Sequence, residues 1–348
     1  MFAGDGARPL DWTHSLALGK LGSALSAGVI LGLVSGDLEK MESELRLESV
    51  GNIEAVSRIA RHLQGNGGKR LRPILLLVSC RLYQEPNAAA IRLASVVELI
   101  HTATLVHDDV IDEAKTRRGQ PAANVIWGNA PSVLAGDWLY MQAFHSALKL
   151  RSFEILDLLI TLTQQMVDGE LLQLGWIGKI GVTEADSMEL IDRKTASLFS
   201  ACTRLGAIAG GASEHDQLRL GDFGWNLGMA FQLADDMLDF TSRESVLGKP
   251  VGNDLREGKV TLPLIYALEK STPEERQLVE RVLADSSYEH VPFASIRQLI
   301  DRYQGIERTR ERAREFTEKA RALLAGLPDS PAQRALIAAT DLVTGRDR

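Results

Sequence analysis

The chain has 348 residues, 45% of them hydrophobic and 24% charged, with a formal net charge of −7. This composition is that of a globular protein with a sizeable core, and the acidic balance argues against non-specific binding to nucleic acid. The two cysteines, Cys80 and Cys202, are far apart and lack the spacing of metal ligands. We therefore expect neither a disulfide framework nor a zinc site, and we expect a cytoplasmic location.

The first apolar segment, residues 21–36, contains several glycines and serines. It is shorter than the about 20 apolar residues that a membrane-spanning helix needs. Asp5 and Asp11 precede it, where a signal peptide would be basic. We predict a packed or dimer-contacting helix, with contact to a membrane surface as the alternative, and no transmembrane segment. Residues 1–36 are assigned to an N-terminal extension of open role, and residues 37–348 to one domain.

Helical periodicity dominates the rest of the chain, because apolar residues recur at intervals of three and four. Several segments are apolar on more than one face, which is typical of helices inside a multi-helix assembly. Strands of alternating polarity are not indicated. We predict an all-α domain with its main helices at 54–63, 90–110, 152–174, 188–211 and 223–240. Loops are predicted at 65–73, 116–131, 244–259, 285–293 and 326–333. In the last loop, Ser330 and Pro331 suit an N-cap and first helical turn.

An Asp-Asp-x-x-Asp pattern occurs twice, each time at the end of a largely apolar helix: Asp108, Asp109 and Asp112, then Asp235, Asp236 and Asp239. Within the first cluster, Asp108 and Asp112 share a helix face, and carboxylates about 6 Å apart repel by roughly 3 kcal/mol at an effective dielectric near 20. A solvated helix end would explain one such cluster but not two. Oxygen-only ligands favour Mg²⁺, which fills its remaining positions with water and substrate phosphate. The two clusters therefore predict a magnesium and polyphosphate site.

Basic residues accompany these clusters in the loops and helix ends. They are Lys69, Arg70, Arg72, Arg117, Arg118, Lys194, Lys249 and Lys259. Arginine matches the geometry of phosphate with a planar fork, and lysine supplies a point charge. Each one alone is explained as a solvated surface charge. Together with the acidic clusters they predict two anion sites, one bridged by metal and one free of metal.

In these motifs the sequence resembles the all-trans isoprenyl diphosphate synthases, also called polyprenyl synthetases, and most resembles their long-chain (octaprenyl and heptaprenyl) members. The resemblance runs from about residue 37 to the C-terminus. It is carried, in the family's order, by "GGKRLRP", "ELIHTATLVHDDVIDEAKTRRG", "DGELLQL", "RKTASLFSACTRLGA", "GMAFQLADDMLDF" and "GKPVGNDLREGKVTLPL". It implies a multi-helix antiparallel bundle around a deep central cavity, a homodimer, and about three Mg²⁺ ions per active site.

The resemblance also assigns roles to individual residues. The six motif aspartates would surround Mg²⁺ and the allylic diphosphate. Arg117, Lys194, Lys249 and Lys259 would hold that diphosphate, and Thr195 and Gln232 would line the reaction centre. Lys69, Arg72, His101 and Arg118 would bind the second substrate, isopentenyl diphosphate. His101 precedes Asp108 by two helical turns on the same face, although a histidine in an apolar helix is more often structural.

The implied chemistry is a prenyl transfer. Positive charge stabilises the departing diphosphate, so the allylic carbon–oxygen bond ionises. The double bond of isopentenyl diphosphate then attacks the allylic cation, and loss of a proton, plausibly to the released diphosphate, restores a double bond. Ala103, five residues before Asp108 and about 7.5 Å further down the helix, lies beside Thr104, and these small residues predict about six to ten isoprene units in the product. Alternatively, Ala103 serves only close helix packing. The floor of the cavity is expected within residues 153–166.

Three alternatives to a long-chain synthase remain at the level of sequence. A shorter-chain synthase, making geranylgeranyl or farnesyl diphosphate, would carry the same motifs. A class I terpene cyclase would share the helices and one aspartate motif, but not "GGKRLRP". A non-catalytic subunit of a heteromeric synthase would be expected to have lost motif aspartates. Peripheral membrane contact during product release is also possible for any of the synthases.

Overall fold

The computed structural model describes residues 21–50, 54–65, 68–117, 119–242 and 251–345. In chain order the first helices are α1 (Leu21–Glu48), α2 (Glu54–Gly65), α3 (Leu71–Arg81), α4 (Ala88–Ile111), α5 (Ala123–Trp127), α6 (Asn129–Leu148), α7 (Phe153–Trp176) and α8 (Glu184–Ile191). A π-helical segment, Asp192–Ala196, joins α8 to α9 (Ser197–Ala209). The remaining helices are α10 (Glu214–Thr241), α11 (Asn253–Arg256), α12 (Leu262–Leu268), α13 (Pro273–Asp285), α14 (Phe293–Arg302), α15 (Gly305–Leu324) and α16 (Pro331–Thr344). The predicted all-α class is confirmed.

The helix α4 packs against α1, α3 and α6. Its start is fixed by Asn87, whose side chain accepts a hydrogen bond from the backbone N–H of Ala90 at 2.9 Å. Leu93 and Ile100 on this helix are fully buried. Of the described helices, α4 alone is long and apolar enough to cross a membrane, but 67% of its most apolar window is buried among other helices. Burial of that kind is typical of a core helix.

The N-terminal helix α1 is packed, as predicted for residues 21–36. Val34, Leu38 and Met41 on α1 are fully buried, and the helix contacts α4 and α16. The helix continues without interruption through residues 36 and 37, where the sequence suggested a boundary between extension and domain. Apolar periodicity therefore extends further towards the N-terminus than the family motifs do.

Arg70 ties α1 to α4 and is not available to a phosphate, which corrects its assignment as a candidate anion-binding residue. Its Nε donates to Glu42 at 2.6 Å, its Nη1 donates to Glu98, and the residue is 5% exposed. Burial alone would lower the pKa of Arg70, but the carboxylates of Glu98 and Glu42 outweigh that effect and raise it. Residue 70 itself lies in the left-handed region with φ of 46°. Sequence pattern alone could not distinguish this arginine from Arg72, two positions later.

The predicted loops at 285–293 and 326–333 lie between helices, as expected. In the other predicted loops, residues 66–67 and 244–250 lie outside the described residues, α3 begins at Leu71, and α11 lies within 244–259. The largest difference is at residues 116–131. There the chain forms an antiparallel hairpin, β1 (Thr116–Arg117) with β2 (Gln120–Pro121), followed by the short α5. Strands of this length are too short to produce a recognisable alternation of polarity. The predicted cap at Ser330 is confirmed, because its side chain accepts from the backbone N–H of Gln333 at 3.1 Å.

Candidate active site

Two cavities meet near the C-terminal end of α4. The first cavity has a volume of about 250 Å³ and is called the polar cavity because carboxylates and lysines line part of it, beside apolar side chains such as Trp176 and Ile191. Its charged residues are Asp108, Asp112, Lys194, Asp236, Asp254 and Lys259. The apolar cavity has a volume of about 470 Å³ and is lined mostly by side chains of α4, α6 and α7. Asp108, Lys194 and Thr195 line both cavities. The two spaces are therefore neighbours that share one wall.

The first aspartate cluster lies beside two of the predicted diphosphate-binding cations. Asp109 is fully buried and accepts a hydrogen bond from Nε of Arg117 at 2.7 Å. Asp112 accepts from Nζ of Lys259 at 3.0 Å. The second carboxylate oxygen of Asp109 is buried without a hydrogen-bond partner in the described part of the chain. An orphaned buried carboxylate oxygen is costly, and it indicates that this cluster can accommodate a further cation.

The second cluster contributes Asp236 to the polar cavity. Its Oδ1 accepts from Nε2 of Gln232 at 3.0 Å, and Oε1 of Gln232 accepts from Oγ1 of Thr195 at 2.9 Å. Thr195, Gln232 and Asp236 thus form a hydrogen-bonded chain from the π-helical segment to α10. The two aspartate clusters, distant in sequence, meet at one cavity, as the sequence analysis requires.

Asp239 and Asp235 have surroundings that differ from those of Asp236. Asp239 is 1% exposed, and its carboxylate accepts from the backbone N–H groups of Asn253 and Asp254 at 3.3 and 3.2 Å, in the first turn of α11. Asp235 is exposed on the surface of α10. Asp108, Asp112 and Asp236 are consequently the three motif aspartates that line the polar cavity.

Burial changes the acidity of the cavity aspartates. It raises the pKa of Asp236 to about 8, against a smaller lowering by the hydrogen bond from Gln232. It also raises the pKa of Asp108 to about 6, while nearby Lys194 acts in the opposite direction. Buried carboxylates of this kind need a nearby positive charge to remain ionised. Oxygen donors that are short of positive charge suit a hard divalent cation.

The carboxylates do not form a closed cage. Across the described residues there is no group of three or more His, Cys, Asp or Glu side chains close enough to hold a metal ion together. Mg²⁺ commonly takes only one or two carboxylates and completes its shell with water and phosphate oxygens. The donor set therefore fits Mg²⁺ that is shared with a bound diphosphate better than it fits an ion held by protein alone.

Arg72 and His101 form a separate cationic site at the apolar cavity. Nη1 of Arg72 lies 3.1 Å from Nε2 of His101, and the guanidinium lies 5.3 Å from the ring centroid of Phe199. Both residues line the cavity. Burial lowers the pKa of Arg72, and its Nε has no hydrogen-bond partner among the described residues. Lys69 lies in the turn just before α3, whereas Arg118 and Lys249 lie outside the described residues.

Helix geometry separates the two proposed chain-length residues. Thr104 lines the apolar cavity, with its hydroxyl donating to the carbonyl oxygen of His101 at 2.7 Å. Ala103 is fully buried in the hydrophobic core. Five residues on an α-helix rotate a side chain by about 140° from Asp108, whereas four residues rotate it by only about 40°. The alternative of close helix packing therefore describes Ala103 better, and the cavity-facing position is Thr104.

The C-terminal half of α7 lines the apolar cavity. Within residues 153–166, where the floor was expected, Met166 lines the apolar cavity. Val167, Leu171 and Leu174 continue the wall towards the C-terminus of α7. The floor within residues 153–166 stays a prediction, and Met166 is the residue of that range on the described wall.

Glu170 and Gln173 are site residues that the sequence analysis did not assign. Nζ of Lys194 lies 2.5 Å from Oε2 of Glu170 and donates to Oε1 of Gln173 at 3.2 Å. Glu170 lines the apolar cavity and Gln173 lines the polar cavity. The available signal was two polar residues, three positions apart, within the otherwise apolar "DGELLQL". Such a pair on one helix face is expensive to bury unless a partner satisfies it.

Known proteins are similar to this chain in sequence and in architecture. The chain is 36% identical to the octaprenyl diphosphate synthase of Escherichia coli (strain K12) over 324 residues, covering 93% of this chain and 98% of that protein. It is also 36% identical to a short chain isoprenyl diphosphate synthase of Methanothermobacter thermautotrophicus over 314 residues, covering 88% of this chain and 96% of that protein.

Among solved structures, a polyprenyl synthase from Caulobacter crescentus CB15, complexed with calcium and isoprenyl diphosphate, superposes with a TM-score of 0.87 at 36% identity. The match covers 92% of this chain and 98% of that chain. The sequence model of the polyprenyl synthetase family matches residues 53–299. With two aspartate clusters at one cavity, this extent of similarity shows that the chain belongs to the polyprenyl synthetase family.

Proposed function

We propose that the chain is a Mg²⁺-dependent prenyltransferase that condenses isopentenyl diphosphate with an allylic diphosphate. Its product would be a long-chain all-trans polyprenyl diphosphate of about six to ten isoprene units, because Thr104 places a small side chain on the wall of the apolar cavity. The observation that carries the proposal is the wall shared by the polar and apolar cavities, formed by Asp108, Lys194 and Thr195. A diphosphate in the polar cavity would have its hydrocarbon tail in the apolar one.

The chain's own residues divide the work between two anions. Lys194, Lys259 and Arg117 donate hydrogen bonds to the allylic diphosphate and stabilise negative charge as the carbon–oxygen bond breaks. Arg72 and His101 hold isopentenyl diphosphate at the other side of the shared wall, so its double bond lies within reach of the allylic carbon. Asp108, Asp112 and Asp236 would each offer carboxylate oxygens to Mg²⁺ ions shared with the diphosphate, and ions bound there would supply further positive charge at the diphosphate oxygens.

The apolar cavity has a protective role in this scheme. An allylic cation reacts with any water that reaches it, so its surroundings must be dry. Leu105, Val167, Leu171 and Leu198 are among the residues that line the cavity, and they provide apolar walls without nucleophiles. These walls support a reaction between two bound substrates and disfavour hydrolysis.

The long-chain product is supported by similarity to an octaprenyl diphosphate synthase and by the small side chain of Thr104 at the cavity wall. A shorter-chain synthase is the second candidate, since a short chain isoprenyl diphosphate synthase is equally similar in percentage identity. We also propose that the protein acts in the cytoplasm, where its buried free thiols, Cys80 and Cys202, would stay reduced.

The deciding experiment is product analysis with the purified protein, labelled isopentenyl diphosphate, Mg²⁺, and geranyl, farnesyl or geranylgeranyl diphosphate as primer. We expect elongation without any added partner subunit, and products resolved by chromatography that extend well beyond the primer. A product no longer than about twenty carbons would contradict the long-chain assignment, because pocket size limits the ligand it can hold. Undiminished elongation in excess chelator would contradict the metal dependence, and inactivity of the protein alone would favour a non-catalytic subunit.

A further inference from the structure

The π-helical segment between α8 and α9 carries Lys194 and Thr195, which both line the shared wall of the cavities. In this segment the backbone N–H of Ser197 donates to the carbonyl oxygen of Asp192, five residues earlier. The hydroxyl of Ser197 also donates to the carbonyl oxygen of Arg193 at 2.6 Å. A π turn is uncommon and less favourable than an α turn, so neighbouring helices must hold it in place.

Two glycines let neighbouring helices approach this segment closely. A Cβ atom on Gly169 of α7 would lie 3.0 Å from Cβ of Arg193 and 3.1 Å from the backbone nitrogen of Lys194. A Cβ atom on Gly228 of α10 would lie 2.7 Å from Cα of Ala196. The main chains of α7 and α10 therefore enclose the segment from two sides. This packing restricts sideways movement but does not fix the start of the π turn.

A hydrogen bond fixes that start. Nε1 of Trp225, on α10, donates to Oδ1 of Asp192 at 2.5 Å. The Trp225 ring also packs edge-on against Phe316 of α15, with the ring centroids 5.7 Å apart, so the donor is held in one orientation. Further along α10, Oε1 of Gln232 accepts a hydrogen bond from the hydroxyl of Thr195. The segment is thereby attached to α10 at both of its ends.

We infer that Asp192 and Trp225 are positioning residues for the prenyl transfer. Their hydrogen bond selects the one register of the π turn in which Lys194 faces both cavities and Thr195 reaches Gln232. Neither residue lines the described cavities, so both act through Lys194 and Thr195. The inference rests on the proposed role of Lys194 at the allylic diphosphate.

The test compares Trp225→Phe, Asp192→Ala and Asp192→Asn in the full chain, with steady-state kinetics for each substrate. The phenylalanine keeps the ring contact with Phe316 but lacks the donor. We expect the KM for the allylic diphosphate to rise, and its kcat/KM to fall about ten-fold or more, in Trp225→Phe and Asp192→Ala, because each loses a hydrogen bond to a charged group. The KM for isopentenyl diphosphate should stay unchanged, since Arg72 and His101 lie on α3 and α4. Asp192→Asn keeps an acceptor oxygen and should recover most of the activity.

A purely structural role gives a different result. Partial unfolding lowers kcat by reducing the amount of active protein and leaves the KM of both substrates unchanged, and that pattern would overturn the inference. The matched control is Tyr303→Phe, which removes the 2.8 Å hydrogen bond from the Tyr303 hydroxyl, just after α14, to Glu275 on α13. This variant should keep both KM values.

Lys194→Ala separates the inference from the proposed function. If Lys194→Ala weakens the binding of the allylic diphosphate while Trp225→Phe and Asp192→Ala do not, the positioning role is wrong and the proposed site stands. If Lys194→Ala leaves the allylic KM and kcat unchanged, the proposed diphosphate site is wrong, and the inference fails with it.

Discussion

Two of the cations proposed to bind the allylic diphosphate are each paired with a motif aspartate. Arg117 contacts Asp109, and Lys259 contacts Asp112. The two carboxylates near Lys259, Asp112 and Glu257, outweigh its burial and raise its pKa above the ordinary value, so it carries its charge at neutral pH. Asp112 and Lys259 both line the polar cavity, where the diphosphate is proposed to bind. The residues are thus oriented before the substrate arrives, which reduces the entropy lost on binding.

Product length provides a test at the scale of single residues. We expect Thr104→Phe to shorten the product, because a ring at this position would occupy the apolar cavity that Thr104 lines. Ala103→Phe should instead lower the melting temperature, since an added ring in a fully buried core position costs about 1–3 kcal/mol through overpacking. Chromatography of the products and thermal unfolding of both variants measure these effects. Unchanged product length in Thr104→Phe would show that residue 104 does not limit the length of the product.

The sequence identified the residue types of the site, but it could not predict all of their positions. Periodicity placed His101 and Asp108 on one face correctly, since seven residues are close to two helical turns. It did not reveal that Asp239 accepts backbone N–H groups from α11, because that contact depends on where a loop returns. Glu170 was missed for a similar reason: its partner Lys194 comes from a different helix.

At the scale of elements, the end of α1 is joined to α6 by a cluster around Glu48. The Glu48 carboxylate accepts from Nζ of Lys149 at 2.8 Å, from Oγ of Ser146 at 3.2 Å, and from Gln142. Burial alone would raise the pKa of Glu48, but the hydrogen bonds from Lys149 and Gln142 outweigh it and lower the pKa below 4.5. The charged carboxylate is therefore the form that stabilises the contact between these helices.

This contact should make stability depend on pH. A carboxylate whose folded pKa is lowered contributes stability above its unfolded pKa and loses it as pH falls through the folded value. We expect Glu48→Gln to lower the free energy of unfolding by about 1 kcal/mol at pH 7, and the difference from the unsubstituted protein to shrink below pH 4.5. Urea unfolding at pH 7 and pH 4 measures this. The exposed Glu39→Gln is the control, and an equal loss at both pH values would refute the explanation.

Secondary structure was predictable where periodicity is long and unpredictable where packing decides. The predicted helices at 90–110 and 223–240 correspond to α4 and to the C-terminal part of α10. The predicted helix at 188–211 is interrupted by the π-helical segment. That interruption depends on glycines of two other helices, Gly169 and Gly228, and therefore on tertiary contacts that a local pattern does not contain.

At the scale of the whole molecule, α6 and α7 present an exposed apolar face. Leu134 and Met141 on α6 are 66% and 62% exposed, and Phe153 on α7 is 88% exposed. Large apolar side chains exposed on neighbouring helices are typical of an interaction site. We propose that a second copy of the chain covers this face, as the family resemblance implies for a homodimer.

Charge placed on this face should prevent association. We expect the double substitution Leu134→Glu and Met141→Glu to convert dimers to monomers, because it buries carboxylates in an interface without partners. Sedimentation velocity at several protein concentrations measures the change. Leu278→Glu on α13 introduces the same charge at a partly exposed leucine elsewhere and should leave the association state unchanged. A monomeric unsubstituted protein, or a dimer that survives the double substitution, would contradict the proposal.

The ion pairs of Arg70 with Glu42 and Glu98 mean that two arginines of one short motif have different roles. Arg70 turns inward to Glu42 and Glu98, whereas Arg72, two positions later, turns towards the apolar cavity. Alanine substitution at either position would abolish activity. At Arg70 it would remove the ion pairs that join α1 to α4, and at Arg72 it would remove a side chain proposed to bind substrate. Only a measurement of folding made alongside catalysis would tell the two failures apart.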